Sequence, residues 1–243
     1  MTFIVKTDRE EIYLVPMGDM HVGHKNFMKE RFERDLQWCI DNKNVYVIGM
    51  GDYMELSARD SPGVFDQDSF ANKQYETVYN YFKPLADEKR LLGLLMGNHE
   101  YRITKYSGFD ITKILANNLG VEYFEHAAFF KLKVNDIEYT VFGQHGYTSS
   151  RTDGGKLNVV IKLANQAIAD IYMVGHSHDV IAKPKPIYRL NGERELHDRI
   201  FVMSGSYLEH WGSYGQMKGY DPSLIGSPRI KLHTNEYNIT VKV

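Results

Sequence analysis

The stretch LLMGNHEYR, residues 94–102, passes without a spacer from an apolar segment to an amide, an imidazole, a carboxylate and a guanidinium. Its apolar part belongs to the run RLLGLLM at residues 90–96, and two earlier runs have the same character, IYLVPM at 12–17 and VYVIGM at 45–50. Short, almost continuous apolar runs are typical of strands buried on both faces of a sheet. The stretch therefore predicts a buried strand that carries polar chemistry at its carboxyl end.

Helical periodicity separates these apolar runs. Apolar residues recur at helical spacing in residues 25–42, and residues 67–89 are long enough for a helix of about four turns that ends near Pro84. Further on, Asp110 has the position of an N-cap for the helix ITKILANNL, with Gly120 as its C-terminal stop. An order of strand, helix, strand, helix and strand predicts a parallel sheet that is covered by helices.

The second half of the chain has more β character than the first. Residues 129–144 alternate with period two on either side of Asn135 and Asp136, which predicts a β-hairpin. The helical segment LNVVIKLANQAIA then leads into the apolar strand DIYMVG at residues 170–175, and shorter β-like stretches follow it, VIAKPKPIYRL, RIFVMSG, RIKLHT and YNITVKV. We expect an α/β fold in which two sheets pack face to face with helices outside, built as a single domain over residues 1–243.

Composition excludes several classes of protein. With 29 basic and 31 acidic residues the chain has a net charge of -2, so it has no global attraction to nucleic acid or to an anionic membrane. Cys39 is the single cysteine, which rules out an internal disulfide. The N-terminal residues lack the basic-then-apolar order of a signal peptide, and no apolar run approaches the ~18 residues of a membrane span. We therefore expect a soluble, cytoplasmic protein that does not enter a membrane.

The buried strands are followed by side chains that can bind a metal ion. The candidate ligands, in chain order, are Asp19, His21, Asp52, Asn98, His145, His176 and His178. The carboxyl ends of strands in an α/β sheet converge on one crevice, so these side chains can meet there. Residues two apart in an extended segment point to the same side, which suits the pair Asp19 and His21 and the pair His176 and His178.

The kinds of ligand narrow the identity of the metal. Oxygen and imidazole donors without a thiolate suit Mn, Fe, Zn or Ni better than a structural zinc site. Seven ligands are too many for one tetrahedral ion and suit two ions that share a carboxylate. Each motif alone has an ordinary explanation, such as a helix cap at Asn98 or a structural role for His145. Their repeated occurrence behind apolar strands favours a metal site.

An ordered series of motifs resembles the signature of the calcineurin-like metallophosphoesterases. The series is Asp19-x-His21, Gly51-Asp52, Gly97-Asn98-His99-Glu100, Gly-x-His145 and Gly175-His176-x-His178. The resemblance covers residues 12–180, and GGK at 154–156 with the later GSYLE and IGSPRI adds a likeness to small stand-alone phosphoesterases of bacteria and phages. It implies a four-layer α/β/β/α sandwich with two mixed β-sheets.

Carried over position by position, the resemblance implies two divalent metal ions, with Mn first and Fe, Zn or Ni as alternatives. One ion would be bound by Asp19, His21, Asp52 and His178, and the other by Asp52, Asn98, His145 and His176. Asp52 would then bridge the two ions, and a hydroxide held between them would attack phosphorus. His99 would protonate the departing oxygen, and Glu100 would fix the tautomer of His99.

The sequence says less about the contacts of the substrate. Met96 stands where serine/threonine protein phosphatases of this superfamily have an arginine, which argues against a phosphoprotein substrate. Asn98, Arg102 and Arg151 are the candidate contacts of the phosphate, with solvated surface arginines as the alternative interpretation of Arg102 and Arg151. His24 is interpreted as a loop residue, with a position near the phosphate as the alternative.

Three functions are consistent with such a site. The first is a phosphodiesterase that acts on a nucleotide or a nucleic-acid end, since an alkoxide leaving group needs the proton that His99 would donate. The second is a phosphomonoesterase or pyrophosphohydrolase of a small metabolite, with residues 58–70 and 209–223 as pocket walls; a DNA exonuclease or endonuclease is a further alternative. The third, a non-catalytic scaffold that binds a partner, is disfavoured by the complete set of ligands. The sequence indicates no oligomeric state.

Overall fold

The apolar runs of the first half form neighbouring parallel strands, as the sequence predicts. In the register of these strands, Val15 pairs with Val47 and Ile48 pairs with Gly93. The structure, a computed structural model, describes residues 1–57, 64–148, 150 and 152–243. The strands in chain order are β1 (Thr2–Val5), β2 (Glu11–Met17), β3 (Val45–Gly49), β4 (Leu91–Leu95), β5 (Glu122–Glu125), β6 (Ala127–Val134), β7 (Ile137–Gln144), β8 (Ile171–Val174), β9 (Val180–Pro184), β10 (Ile187–Asn191), β11 (Glu193–His197), β12 (Ile200–Ser204), β13 (Arg229–His233) and β14 (Ile239–Lys242).

The helices lie between the predicted strands. They are α1 (Lys29–Asp41), α2 (Ala71–Asp87), α3 (Asn98–Ser107), α4 (Ile111–Leu119), α5 (Asp153–Lys162) and α6 (Tyr214–Met217), with short 3-10 turns at Val64–Asp66 and Leu163–Asn165. Both predicted ends of α4 are confirmed, because the Asp110 carboxylate accepts the N–H of Lys113 at 2.9 Å and Gly120 ends the helix with a φ of 66°. The longest described helix has 17 residues, and no described helix is long and apolar enough to cross a membrane.

Two helices differ from the prediction. α2 continues past Pro84 to Asp87, so the predicted end near the proline is wrong. Pro84 is exposed, and the buried side chains of Leu85 and Ala86 hold the last turn against the core. Helix α3, which the sequence does not predict, begins directly at Asn98, inside the polar part of the opening stretch.

Twelve of the described strands form two mixed six-stranded sheets, in the orders β1-β6-β7-β8-β12-β9 and β14-β13-β2-β3-β4-β5, and β10 pairs with β11 in a separate two-stranded sheet. The apolar core between the sheets includes Leu14, Ile48, Leu132, Val141 and Ile230. Helices α1, α2 and α4 cover the outer face of the β2 sheet, and α5 packs on the outer face of the other sheet. The predicted α/β/β/α order of layers is therefore confirmed.

Candidate metal centre

Five strands end at the rim where the sequence predicts a metal site. β2, β3 and β4 are neighbouring parallel strands of one sheet, and β7 and β8 are neighbouring parallel strands of the other. A candidate ligand follows each of these strands within three residues. The rim therefore collects side chains from loops that are far apart in the sequence.

One group of side chains comes mainly from the loops after β2 and β8. Donor atoms of Asp19, His21 and His178 lie within 4.8 Å of one another. Nε2 of His178 is 3.2 Å from Nε2 of His21 and 3.4 Å from Oδ1 of Asp19. Oδ2 of Asp52 approaches the same group, at 3.9 Å from Nε2 of His21. The four residues predicted for one ion are thus neighbours.

A second group lies beside the first. Donor atoms of Asp52, His145 and His176 lie within 4.8 Å of one another, with Oδ2 of Asp52 at 3.3 Å from Nε2 of His145. Oδ1 of Asn98 is 2.9 Å from Nε2 of His145 and 2.7 Å from Nδ1 of His176. Asp52 therefore belongs to both groups, as expected for a shared carboxylate.

The distances and the burial of these side chains fit divalent cations. Ligand atoms about 2.1 Å from one ion lie about 3 Å apart when they occupy neighbouring positions, and the shorter separations here run from 2.7 to 3.4 Å. Asp19 and Asp52 are 0 and 1 % exposed. Within the described ranges, their ion pairs are all with histidines rather than with lysine or arginine. Buried carboxylates of this kind need a compensating cation.

The electrostatics of the buried groups agree with this interpretation. Burial, and then the charge of His99, lower the pKa of His21 to about 4, so its imidazole is neutral, which is the form that binds a metal. Although burial opposes it, the carboxylates of Asp52 and Asp19 raise the pKa of His145 to about 10. A cation bound by His145 replaces that proton, since a metal ligand must be a neutral imidazole.

Two of the histidines are oriented through the nitrogen that faces away from the cluster. Nδ1 of His21 is 3.1 Å from Oε2 of Glu55, and Nδ1 of His145 is 2.8 Å from the carbonyl oxygen of Met50. Such partners fix the tautomer and direct Nε2 at the metal position. Sequence reasoning missed Glu55, whose one signal is a carboxylate three residues after Asp52.

Several candidate ligands have a left-handed backbone, which residues other than glycine seldom adopt. The φ angles are 48° at Asp19, 51° at His21, 50° at Asp52, 64° at His176 and 59° at His178. Each such conformation costs on the order of 1–3 kcal/mol, and they cluster at functional sites. Gly51 and Gly146, beside two of the ligands, also have positive φ angles, of 93° and 84°, but glycine adopts them without this cost. The surrounding sheets and loops must therefore stabilise the strained conformations of the ligands.

The expected contact between Glu100 and the ring of His99 is wrong. The buried Glu100 carboxylate instead accepts four backbone N–H groups, those of Tyr53 (2.9 Å), Met54 (3.1 Å), Asp52 (3.0 Å) and Gly97 (3.1 Å). Nδ1 of His99 lies 2.5 Å from the carbonyl oxygen of Glu55. The physical reason is that adjacent residues of a helix do not face each other, so Glu100 points into the protein when His99 points at the cavity.

These four hydrogen bonds predict that replacing Glu100 lowers the stability of the fold. In Glu100→Gln the amide has one acceptor oxygen, so two of the four buried N–H groups face an NH2 group and lose their acceptor. We expect the free energy of unfolding to fall by about 3 kcal/mol, measured by urea denaturation of the metal-free protein. Glu76→Gln, at an exposed position of α2, is the matched control and should change little. An equal effect of both substitutions would contradict this assignment.

His99 lies at the edge of both ligand groups. Its backbone N–H donates to Oδ1 of Asp52 at 2.8 Å, and its Nε2 is 4.0 Å from Oδ2 of the same carboxylate. Its Nδ1 bonds the Glu55 carbonyl oxygen, and this nitrogen therefore carries a proton, because a carbonyl can only accept. Nε2 is then the nitrogen that can exchange a proton with a bound molecule.

The ligand groups form one wall of a cavity of about 600 Å³. Its other lining residues include Arg102 on α3, and Glu209, His210 and Tyr220 from the segment expected to form a pocket wall. Arg102 therefore lines the space in which a substrate would bind, and its contact with phosphate stays a prediction. Arg151 and residues 58–63, which the sequence analysis also singled out, lie outside the described residues.

Solved structures with a similar fold are distant in sequence. A double mutant of Vps29 from Entamoeba histolytica is 16% identical, with 95% of this chain and 90% of that chain covered and a TM-score of 0.48. The NAD nucleotidase of Haemophilus influenzae is 11% identical, with coverages of 96% and 49% and a TM-score of 0.41. The nuclease MPE of Pseudomonas putida is 13% identical, with coverages of 94% and 86% and a TM-score of 0.36. No curated protein matches the chain.

A family model matches most of the sequence. The model describes the calcineurin-like phosphoesterases and covers residues 14–214 of the 243. The matched range contains all of the candidate ligands as well as His99. The expected family is thus confirmed, and the chain belongs to the calcineurin-like phosphoesterases.

Proposed function

We propose that the protein is a phosphodiesterase that uses two divalent metal ions to hydrolyse an ester of the nucleotide or nucleic-acid type. The observation that supports this most is the meeting of two ligand groups at Oδ2 of Asp52, with His99 beside them. One ion would be held by Asp19, His21, Asp52 and His178, and the other by Asp52, Asn98, His145 and His176. Bound there, the ions would supply an activated water and positive charge for the phosphoryl oxygens.

The chain itself supplies the proton for the leaving group. His99 would donate it from Nε2 to the departing oxygen, while its Nδ1 proton stays on the carbonyl oxygen of Glu55. The short Nδ1 contact keeps the ring from turning, so Nε2 stays directed at the substrate. An alkoxide leaves slowly without a proton, so a positioned imidazole accelerates hydrolysis of an alkyl ester more than that of an activated ester.

The cavity limits the size and charge of the substrate. A volume of about 600 Å³ is within the range of pockets for small organic ligands and suits a group the size of a nucleotide. Its lining includes the carboxylates of Asp66, Glu209 and Asp221 beside Arg102 and Lys156, so it is not a basic groove of the kind that binds duplex DNA. A phosphomonoesterase or pyrophosphohydrolase of a small metabolite is the second candidate, because the same cavity would accept its substrate.

The proposal is tested with the manganese-loaded protein on a diester and a monoester that share one chromophore. We expect faster turnover of bis-p-nitrophenyl phosphate than of p-nitrophenyl phosphate, with both rates measured by the release of p-nitrophenol. Both activities should be lost after chelation and desalting. Recovery of activity on re-addition of manganese is the control for damage by the chelator. A preference for the monoester would support the second candidate, and a metal-bound protein inactive on both would support a scaffold.

A further inference from the structure

His24 is a buried titratable side chain that the proposed mechanism does not use. It is 8 % exposed and lines the same cavity as His99. Its backbone N–H donates to the carbonyl oxygen of His21 at 2.9 Å, so its position is tied to the loop of a candidate ligand. Buried polar atoms need hydrogen-bond partners, and the partners of the two ring nitrogens therefore indicate what His24 does.

The wall that holds His24 is built rigidly. Gly23 has a φ of 98°, and a Cβ at this position would overlap the side chain of Gln74. Gln74 is fully buried, accepts the N–H of Leu56 at 3.0 Å and donates to Oε1 of Gln67 at 3.0 Å. Gln67 in turn forms an antiparallel bridge with His24. The backbone of His24 is thus held in place by the loops on both sides of it.

The hydrogen bond of one ring nitrogen determines the tautomer of His24. Nδ1 accepts the backbone N–H of Asn26 at 3.0 Å. A nitrogen that accepts a hydrogen bond carries no proton, so the proton of the neutral ring lies on Nε2. Among the described residues, this Nε2 has no hydrogen-bond partner and is not sealed from solvent. The Nε2–H of His24 is therefore available to a molecule in the cavity.

His24 and His99 thus present opposite chemistry to one cavity. In His99 the backbone carbonyl fixes a proton on Nδ1 and leaves Nε2 to gain or lose one. In His24 the backbone N–H fixes a lone pair on Nδ1, and the neutral ring always offers an N–H at Nε2. The first arrangement suits proton transfer, whereas the second suits a constant hydrogen-bond donor.

We propose that His24 is a substrate-binding residue. Its Nε2–H donates a hydrogen bond to an oxygen of the phosphoryl group and holds this group beside His99. The inference rests on the proposed phosphoesterase function and names phosphate oxyanions as the ligand. A neutral donor orients such a group without adding a charge that would compete with the cations for it.

Binding of inorganic phosphate to the manganese-loaded protein tests this assignment without turnover. By calorimetry we expect His24→Phe, which keeps a planar ring and loses the donor, to weaken phosphate binding about tenfold. His24→Gln, whose amide can reach the position of Nε2 with an N–H, should stay within about threefold of the wild type. Manganese content should be the same in all three proteins, because His24 is not among the candidate ligands. With bis-p-nitrophenyl phosphate, KM should rise more in the phenylalanine variant than kcat falls.

The outcomes separate this inference from the proposed function. Equal phosphate affinity in the wild type and His24→Phe, or an equal loss in the phenylalanine and glutamine variants, would overturn the role of His24. Absence of phosphate binding by the wild type would overturn it as well. If the wild type, His24→Gln and His24→Phe bind phosphate in the expected order of affinity but the wild type hydrolyses no ester, only the proposed function is contradicted. If His24→Phe does not fold, His24→Asn, whose shorter amide cannot reach the cavity, replaces it.

Discussion

Asp52→Asn is expected to remove bound manganese and activity together. For protein loaded with manganese and then desalted, we expect the metal content to fall from about two ions per chain to fewer than one. Hydrolysis of bis-p-nitrophenyl phosphate should fall by roughly a thousandfold, the size of effect that follows from removing one preorganised charge from a reacting centre. Atomic absorption measures the metal, and release of p-nitrophenol measures the rate.

The size of this effect follows from the position of one oxygen atom. Oδ2 of Asp52 is 3.3 Å from Nε2 of His145 and 3.9 Å from Nε2 of His21, so it lies between the two ligand groups. Asparagine keeps the shape of the side chain and an oxygen that can accept the N–H of His99. It removes the negative charge and the second acceptor, and with them the one side chain that both groups share.

The metal-free variant separates a loss of metal from a loss of folding. The bond to the N–H of His99 can be kept, but the negative charge beside His145 is lost, so we expect metal-free Asp52→Asn to unfold cooperatively at a lower temperature than the metal-free wild type. Asp136→Asn, in the exposed turn between β6 and β7, is the matched control and should keep both metal and activity. If Asp52→Asn retains its manganese and its rate, Asp52 is not the shared ligand.

The sequence predicts the parts of this fold that depend on local physics. Apolar runs in β2, β3 and β4 are buried on both faces, and the capping residues Asp110 and Gly120 determine where α4 begins and ends. The candidate ligands could also be found, because each follows an apolar strand and the carboxyl ends of such strands meet at one rim. Periodicity, capping and strand ends are all visible in a single chain.

Contacts between residues that only the fold brings together could not be predicted from the sequence. The partner of His99 is a backbone carbonyl at Glu55, and every residue has a carbonyl, so no residue type signals this bond. The family resemblance assigned Glu100 to the ring of His99, whereas its carboxylate oxygens accept backbone N–H groups at residues 52–54 and at Gly97. His24 was interpreted as a loop residue, since only the contact with Asn26 reveals its tautomer.

His99→Ala is expected to slow the reaction according to the leaving group. The informative pair of substrates is dithymidine monophosphate, which releases an alcohol, and the p-nitrophenyl ester of thymidine monophosphate, which releases a much more acidic phenol. We expect the rate on the first to fall about a thousandfold and the rate on the second only about tenfold, the difference being the proton that an alkoxide requires. Product formation is followed by chromatography for both substrates, under conditions in which manganese content is shown to be unchanged.

The comparison isolates proton donation because the two esters share the nucleoside and the phosphoryl group. A residue that only binds phosphate would slow both reactions equally, so equal losses would remove His99 from the role of general acid and leave it as a phosphate contact. His126→Ala, at an exposed histidine between β5 and β6, should leave both rates unchanged. Nε2 of His99 is 4.0 Å from Oδ2 of Asp52, and a donor atom of His99 lies within 4.8 Å of donor atoms of both Asp52 and His21, so position alone does not distinguish an acid from a further ligand. The leaving-group dependence, rather than the loss of rate itself, therefore identifies what His99 does.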